Sequence, residues 1–260
     1  SASRRERELR GAVVKALQAT FLRELRAYFV SPLAYLVMFF FLIYNGAVFA
    51  AVVSVLNDPR SGGTERPMDQ LFQGFFFWII LCFITTVLTM RLISEELRSG
   101  SIEVLMTAPI TEVQVVVGKY LAALTFYCAL WVPTVAYAGI VARYSHVDWG
   151  PIAGGYFGIF CLGALFLSVG VLFSALTKSQ LLAAIMTFVV LVAVLFLIGL
   201  LDNLFNGEVA KQALGYVNLF GHMEELHRGI VDSRHLVYYG SAIFFFLFLA
   251  SRALEDRKWR

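Results

Sequence analysis

Six apolar runs, at residues 33–56, 71–93, about 113–141, 152–176, 181–201 and about 236–249, leave this chain few ways to fold. A helix of about 20 apolar residues crosses a hydrocarbon core of about 30 Å, so each run reads as one membrane span. Inside lipid every backbone N–H and C=O must be satisfied within its own segment, which makes the spans helical. Only 15% of the 260 residues are charged and 59% are hydrophobic, where a soluble domain carries about 25% charge. What lies between the runs is too short for a separate soluble domain, so residues 1–260 form a single membrane domain. The fold expected is all-α and polytopic, with six transmembrane helices. Cys82, Cys128 and Cys161 each fall inside an apolar run and read as small buried hydrophobes, not as a disulfide or metal framework.

The breaks between the runs carry the information. Residues 94–110, between spans two and three, form a charged hairpin. Gly100 suits the left-handed residue that ends a helix, Ser101 is a ready N-cap for the next, and Glu103 falls in that helix's first turn, beside its positive end. Pro109 stops this short helix, and Thr111 with Gln114 has the form of a capping box that opens span three. Pro133 interrupts span three and should kink it, while Lys119, near its start, can snorkel to the interface. In span four Gly154 and Gly158 form a Gly-x-x-x-Gly pair, continued by Ala164 and Ser168, that lets a neighbouring helix approach closely.

Residues 1–30 set Arg4, Arg5, Arg7, Arg10, Lys15, Arg23 and Arg26 against Val13, Val14, Leu17, Phe21, Leu25, Tyr28 and Phe29 at helical spacing. This is a basic amphipathic helix of the kind that lies in the membrane interface, either as a plain anchor to anionic lipid or as a lever beside the hairpin. No cleavable signal peptide is expected from so charged a beginning. Pro32 then punctuates before span one. Residues 202–234 are of intermediate polarity, with apolar positions that fit one or two amphipathic helices packed on the membrane domain. With six spans both termini share one side. That side holds fifteen of the 21 Lys and Arg residues, so the termini and the hairpin face the cytoplasm and residues 202–234 face outward.

The chemistry this excludes is broad. No Gly-x-x-x-x-Gly-Lys-Ser/Thr stretch is present, so the chain is not expected to hydrolyse ATP, and it binds no cofactor of its own. No acidic residue sits mid-span, which argues against an ion-coupled pump. His146 and Asp148 lie in one loop, and His222, Glu224, Glu225, His227 and His235 near the other. The two histidines at 222 and 227 are five apart and do not share a helix face as they would at four, and no His-Glu-x-x-His occurs, so no metal site is expected. Nothing at membrane depth pairs a nucleophile with a base or two carboxylates, which ranks a membrane-embedded enzyme low.

Three blocks resemble the permease subunits of type 2 ATP-binding cassette (ABC) exporters, and in particular their gliding-motility-associated branch. They are residues 23–35, from Arg23 through Tyr28 and Pro32; residues 95–109, similar to the family's Glu-x-x-x-Gly-Thr-x-Glu-x-Leu pattern with Ser101 in place of Thr; and residues 222–232, from His222 through Gly229, running into Val237-Tyr238-Tyr239. The resemblance implies a dimer of six-span permeases, identical or related, in a bacterial inner membrane. Each would be seated on a cytoplasmic ABC ATPase that binds ATP and Mg, two copies per complex. The hairpin would be the coupling helix, with Glu95, Glu96, Arg98 and Glu103 offering charge to the ATPase, Leu97, Val104 and Leu105 anchoring the element, and Gly100, Ser101 and Pro109 shaping it. Arg23, Arg26, Tyr28 and Pro32 would belong to an interfacial connecting helix. His222, Glu224, Glu225 and Gly229 would belong to re-entrant helices forming an outer gate.

The reading that follows is the transmembrane subunit of an ATP-driven exporter. The alternative is a permease-like anchor that passes ATPase-driven force to cell-envelope or gliding-motility partners. The lipid bilayer is a partner in either case, and nucleic acid in neither.

Overall fold

The computed structural model describes residues 17–56, 74–100, 111–144, 149–204, 215–230 and 232–258. Residues 17–30 form helix α1. Then come α2 (Pro32–Leu56), α3 (Phe75–Thr89), α4 (Ser94–Ser99), α5 (Glu112–Trp131), a 3-10 turn (Val132–Thr134), α6 (Val135–Tyr144), α7 (Trp149–Leu176), α8 (Gln180–Leu204), α9 (Leu219–His227) and α10 (Ser233–Lys258). The described residues contain six helical stretches long and apolar enough to cross a membrane, as the six runs require.

Local chemistry explains most boundaries. Ser31 breaks the chain between α1 and α2, and Pro32 is the first residue of α2, where its missing N–H costs nothing. Pro151 is tolerated in the first turn of α7 for the same reason, so that helix starts at Trp149, three residues before the apolar run. Thr111 and Gln114 complete the expected capping box: Gln114 N donates to Thr111 Oγ1 at 3.4 Å and Thr111 N to Gln114 Oε1 at 3.2 Å. At Pro133 the expected interruption takes the form of the 3-10 turn, where Thr134 Oγ1 donates back to Trp131 O at 2.7 Å. The last helix runs past its apolar core into its charged end, steadied by an Arg252–Glu255 pair at 2.5 Å.

Helix α7 is the centre of the bundle. It packs against α3, α4, α5, α8, α9 and α10, and it is buried nearly all round, whereas α2, α8 and α10 leave most of their apolar surface outward. Its small residues make this possible. A Cβ on Gly163 would fall 2.2 Å from the Tyr127 ring and one on Gly170 2.0 Å from Thr89 Oγ1, so α5 and α3 come closer than any side chain would allow. Tyr127 then donates to Ile159 O at 3.1 Å and Tyr120 to Ala164 O at 3.2 Å, taking two phenol groups out of the apolar interior as hydrogen-bonded ones. The three cysteines are free; Cys82 and Cys161 are buried and Cys128 is half-buried.

The Gly154–Gly158 pair does not face another span. It faces α9: a Cβ on Gly154 would meet Leu226 O at 2.0 Å, and one on Gly158 would meet Met223 Sδ at 2.8 Å. The expected close approach is present, but it seats the short helix from residues 202–234 on the bundle. At the other end of α7, Ser174 meets α4. Twenty residues separate Gly154 from Ser174, about 30 Å at 1.5 Å per residue, so α4 and α9 lie a membrane thickness apart.

Candidate functional site

The site is built where α1, α4 and α5 meet. Span two ends at Thr89, the chain turns through residues 90–93, and α4 begins at Ser94. The first N–H groups of so short a helix need acceptors, and α7 supplies one: Ser174 Oγ accepts from Ile93 N at 3.0 Å and Ser94 N at 3.1 Å. Leu97 is buried, Glu95 and Arg98 are exposed, and Gly100 ends the helix at φ 73°, the left-handed conformation that its sequence position suggests. Ser101, Glu103, Val104, Leu105 and Pro109 lie outside the described residues.

Lys119 holds the junction together. It is 1% exposed, the reverse of the snorkelling expected from its place near the start of span three. A buried ammonium needs its three N–H donors used, and three acceptors surround it: Glu24 Oε1 at 3.0 Å, Glu96 Oε1 at 3.0 Å and Leu92 O at 2.6 Å. Arg23 completes a four-charge cluster, reaching Glu24 Oε1 at 2.9 Å and Glu96 Oε1 at 2.7 Å from a half-exposed position. Burial opposes ionisation of Glu24, but Lys119 and Arg23 outweigh it and hold its carboxyl below the ordinary value. Two of these charges come from α1, one from α4 and one from α5, so the cluster ties the N-terminal helix to the hairpin helix and to span three at once. Lys119 carried no sequence signal of this role: its partners are 95 and 23 positions away.

Aromatic and hydroxyl contacts continue the seam. Tyr28 stacks on Phe126 at 5.1 Å and donates its hydroxyl to Leu88 O, while Arg91 lies 5.5 Å above the Tyr28 ring and donates to Ser31 Oγ at 3.0 Å. Gly118 lets α1 approach α5, with a Cβ there 3.2 Å from Thr20. A cleft of about 510 Å³ opens beside the cluster, bordered by Arg23, Tyr28, Arg91, Glu95, Glu96 and Ser99. Of the residues expected here, the structure brings Arg23, Tyr28 and Glu96 together, leaves Arg26 exposed on α1, and places Pro32 at the head of α2. Glu96 turns inward, so the outward charges described on α4 are Glu95 and Arg98.

At the opposite end, α9 carries His222, Glu224 and Glu225, and Gly229 ends it at φ 78°. Asn218 caps it, its Oδ1 accepting from Phe220 N at 3.1 Å and Gly221 N at 3.2 Å. Glu224 pairs with Arg228 at 2.5 Å on the exposed side. His222 and His227 do not meet. His227 is buried, which pushes its imidazole down to about 4, and His222 instead packs against His235 of α10, the tilted rings 4.4 Å apart. Among the described residues no group of three or more His, Cys, Asp or Glu converges as a metal site would require.

Among the described residues, six membrane helices with one of them central, a short charged helix between spans two and three and a second short helix seated at the far end define a polytopic permease-like membrane protein. The chain matches the family described as ABC-2 family transporter protein over residues 7–250, and it belongs to that family. It is similar to the probable multidrug ABC transporter permease YbhR of Escherichia coli K12, 26% identical over 163 residues, or 61% of this chain and 44% of that protein. The same figures hold for YbhR of Escherichia coli O157:H7. The matched region thus spans less than half the length of these curated relatives.

Proposed function

We propose that this chain is the transmembrane subunit of an ATP-driven exporter, coupled through α4 to a separate ABC ATPase. The observation that carries the reading is the junction of α1, α4 and α5. A short helix presents Glu95 and Arg98 outward, is anchored inward by Leu97, and is bolted to two further elements through a fully buried lysine. A displacement imposed on α4 cannot be absorbed locally, because Glu96 would lose both its cations, Arg23 and Lys119, and buried Lys119 one of its carboxylates; α1 and α5 must follow. Ser174 passes the same displacement to α7, the helix on which α3, α5, α8, α9 and α10 also pack. Membership in the ABC-2 family supports the reading, as do the three sequence blocks similar to its gliding-motility branch. The charge asymmetry supports a cytoplasmic position for α4 and both termini, in an inner membrane. The complex would hold two permeases and two ATPases, with ATP and Mg bound by the ATPase. The multidrug permease named above makes an amphipathic cargo the first class to test.

The test is purification in mild detergent from the native host, followed by mass spectrometry and an ATPase assay. A nucleotide-binding subunit in equal copies is expected, with ATP hydrolysis that changes when charge is reversed by the double substitution Glu95→Lys, Glu103→Lys. A chain that purifies alone in every mild detergent overturns the proposal. So does coupled hydrolysis that the double substitution leaves untouched.

A further inference from the structure

Helix α9 is held by two joints of different chemistry. Toward α7 the joint is steric: Leu226 and Met223 sit in the space left by Gly154 and Gly158, and Phe220 lies 4.4 Å from the Trp78 ring of α3. Toward α10 the joint is imidazole on imidazole. The His222 and His235 rings lie 4.4 Å apart at 40°, with the Tyr238 and Tyr239 rings edge-on to His222 at 5.3 and 5.8 Å. His222 is 5% and His235 7% exposed, and the Nδ1 atom of each is covered and makes no hydrogen bond. One carboxylate serves the pair: Glu225 Oε2 lies 3.1 Å from His235 Nε2, and Glu225 is itself half exposed.

We propose that the joint between α9 and α10 is a proton-operated latch, closed while the His222 imidazole is neutral and released when it takes up a proton, leaving α9 seated on α7. A neutral His222 ring against the His235 ring buries apolar area and asks little of its surroundings. A protonated His222 ring at the same distance is a buried cation in a site with few hydrogen-bond partners, where the nearby carboxylate, Glu225, already meets His235 Nε2. The other groups around the joint do not supply the missing anion. Asp232 is engaged with Arg234, the backbone N–H at 2.9 Å and the guanidinium at 3.6 Å, and Glu224 with Arg228. Tyr216, Tyr238 and Tyr239 are phenols, α7 contributes Cys161 beside Tyr239, and the α3 contact is Trp78. A cleft of about 440 Å³ bordered by Tyr216, His222, Glu225, His235 and Tyr238 gives water a route to the rings once they part.

The sign follows from His222. Burial, with the His235 imidazole adding to it, holds the group below its ordinary value of 6.5 in the closed joint. The closed state therefore disfavours the proton; its stability is full above 6.5 and declines as the pH falls through and below that value. On the α7 side of α9, one turn after Met223, His227 is also buried and held down to about 4; it stays covered while α9 keeps its seat, so opening of the α10 joint alone does not titrate it.

Hydrogen exchange of the full chain in lipid nanodiscs, followed by mass spectrometry from pH 7.5 to 5.0 and corrected for the intrinsic rate, tests this. Exchange across residues 219–240 should rise by up to about tenfold per pH unit below 6.5, the slope of a one-proton opening, while residues 152–170 of α7 stay protected. His222→Asn and His235→Asn should each flatten the profile, and Glu224→Gln should leave it unchanged. Wild-type protection that is constant across the range overturns the latch, as does loss at α7 in step with α9. A rise that persists in both histidine variants overturns it as well. If a variant does not elute as folded protein on gel filtration, His222→Gln takes its place.

Discussion

The two ends of α7 are joined to their short helices by opposite means. At Ser174 the partner is α4, fixed by hydrogen bonds and by the Arg23–Glu24–Glu96–Lys119 cluster beside it. At Gly154 the partner is α9, fixed because no side chain stands in the way of Leu226. A charge cluster keeps its strength only while every member is present, since a buried ion left without its partner is strongly destabilising. A glycine seat has no partner to lose and fails only when something is inserted. The first kind of joint transmits a displacement to all its elements at once; the second holds one element in place.

Removing the buried cation should have the largest effect. Lys119→Met strips Glu24 and Glu96 of their buried common partner, leaving them the half-exposed Arg23, and should cost about 3–5 kcal/mol, the range for breaking a buried ion pair from one side. Thermal unfolding in detergent reads this, and adding Glu24→Gln and Glu96→Gln should restore part of the loss, because the uncompensated charges then go too. No recovery would mean that Lys119 acts by filling space. The counterpart at the other end is Gly154→Val, which should cost about 1–3 kcal/mol by overpacking. Hydrogen exchange should show that cost confined to α9, with the α1–α4–α5 junction still protected; spread to that junction would erase the distinction between the joints.

How far the sequence led differs between these ends for a physical reason. Span number, the capping box at Thr111, the left-handed Gly100 and the break at Pro133 are set by residues within a few positions of one another, and a linear reading reaches them. Gly154 and Gly158 announced a close approach but not its partner, because a glycine pair says only that something comes near. The partners of Lys119 and His235 were missed for the opposite reason. Each of these two residues looks ordinary in its own helix, and each gains its role from residues brought in by another element: Glu24 and Glu96 for the lysine, His222 for the histidine. The inward turn of Glu96 has the same origin, since adjacent acids on one helix turn point in different directions and only tertiary packing decides which is buried.

Acid offers a way to sharpen the comparison without mutation. The Glu24 carboxyl is held below its ordinary value of 4.5 by Lys119 and Arg23 against the opposing effect of burial. Its contribution is therefore full above pH 4.5 and lost as the pH falls through the lowered value. Unfolding followed from pH 6 to pH 3 should show this loss in the wild type and less of it in Lys119→Met, where half of the cationic environment is already gone. Equal acid sensitivity in both would mean that the pair does not hold Glu24 ionised. Within the bundle, Tyr127→Phe removes the bond to Ile159 O while keeping the ring in its Gly163 seat, and should cost about 1 kcal/mol.

The smallest expected effect concerns the link between the hairpin and the charge joint. Thr111 opens α5 two turns before Lys119, and its capping box satisfies the first N–H groups of that helix. Thr111→Val keeps the shape and β-branching of the side chain and removes only the hydroxyl acceptor, so the loss should be about 0.5–1 kcal/mol. The fraying should be confined to the first turn, because Val115 and Val116 are buried and hold the next one. If α5 is positioned by Lys119, as the four-charge cluster implies, coupled ATPase activity should survive Thr111→Val nearly intact while Lys119→Met abolishes it. If the cap variant instead uncouples as severely as the lysine variant, the start of α5 is positioned from the hairpin side, and the cluster is a consequence of that placement and not its cause.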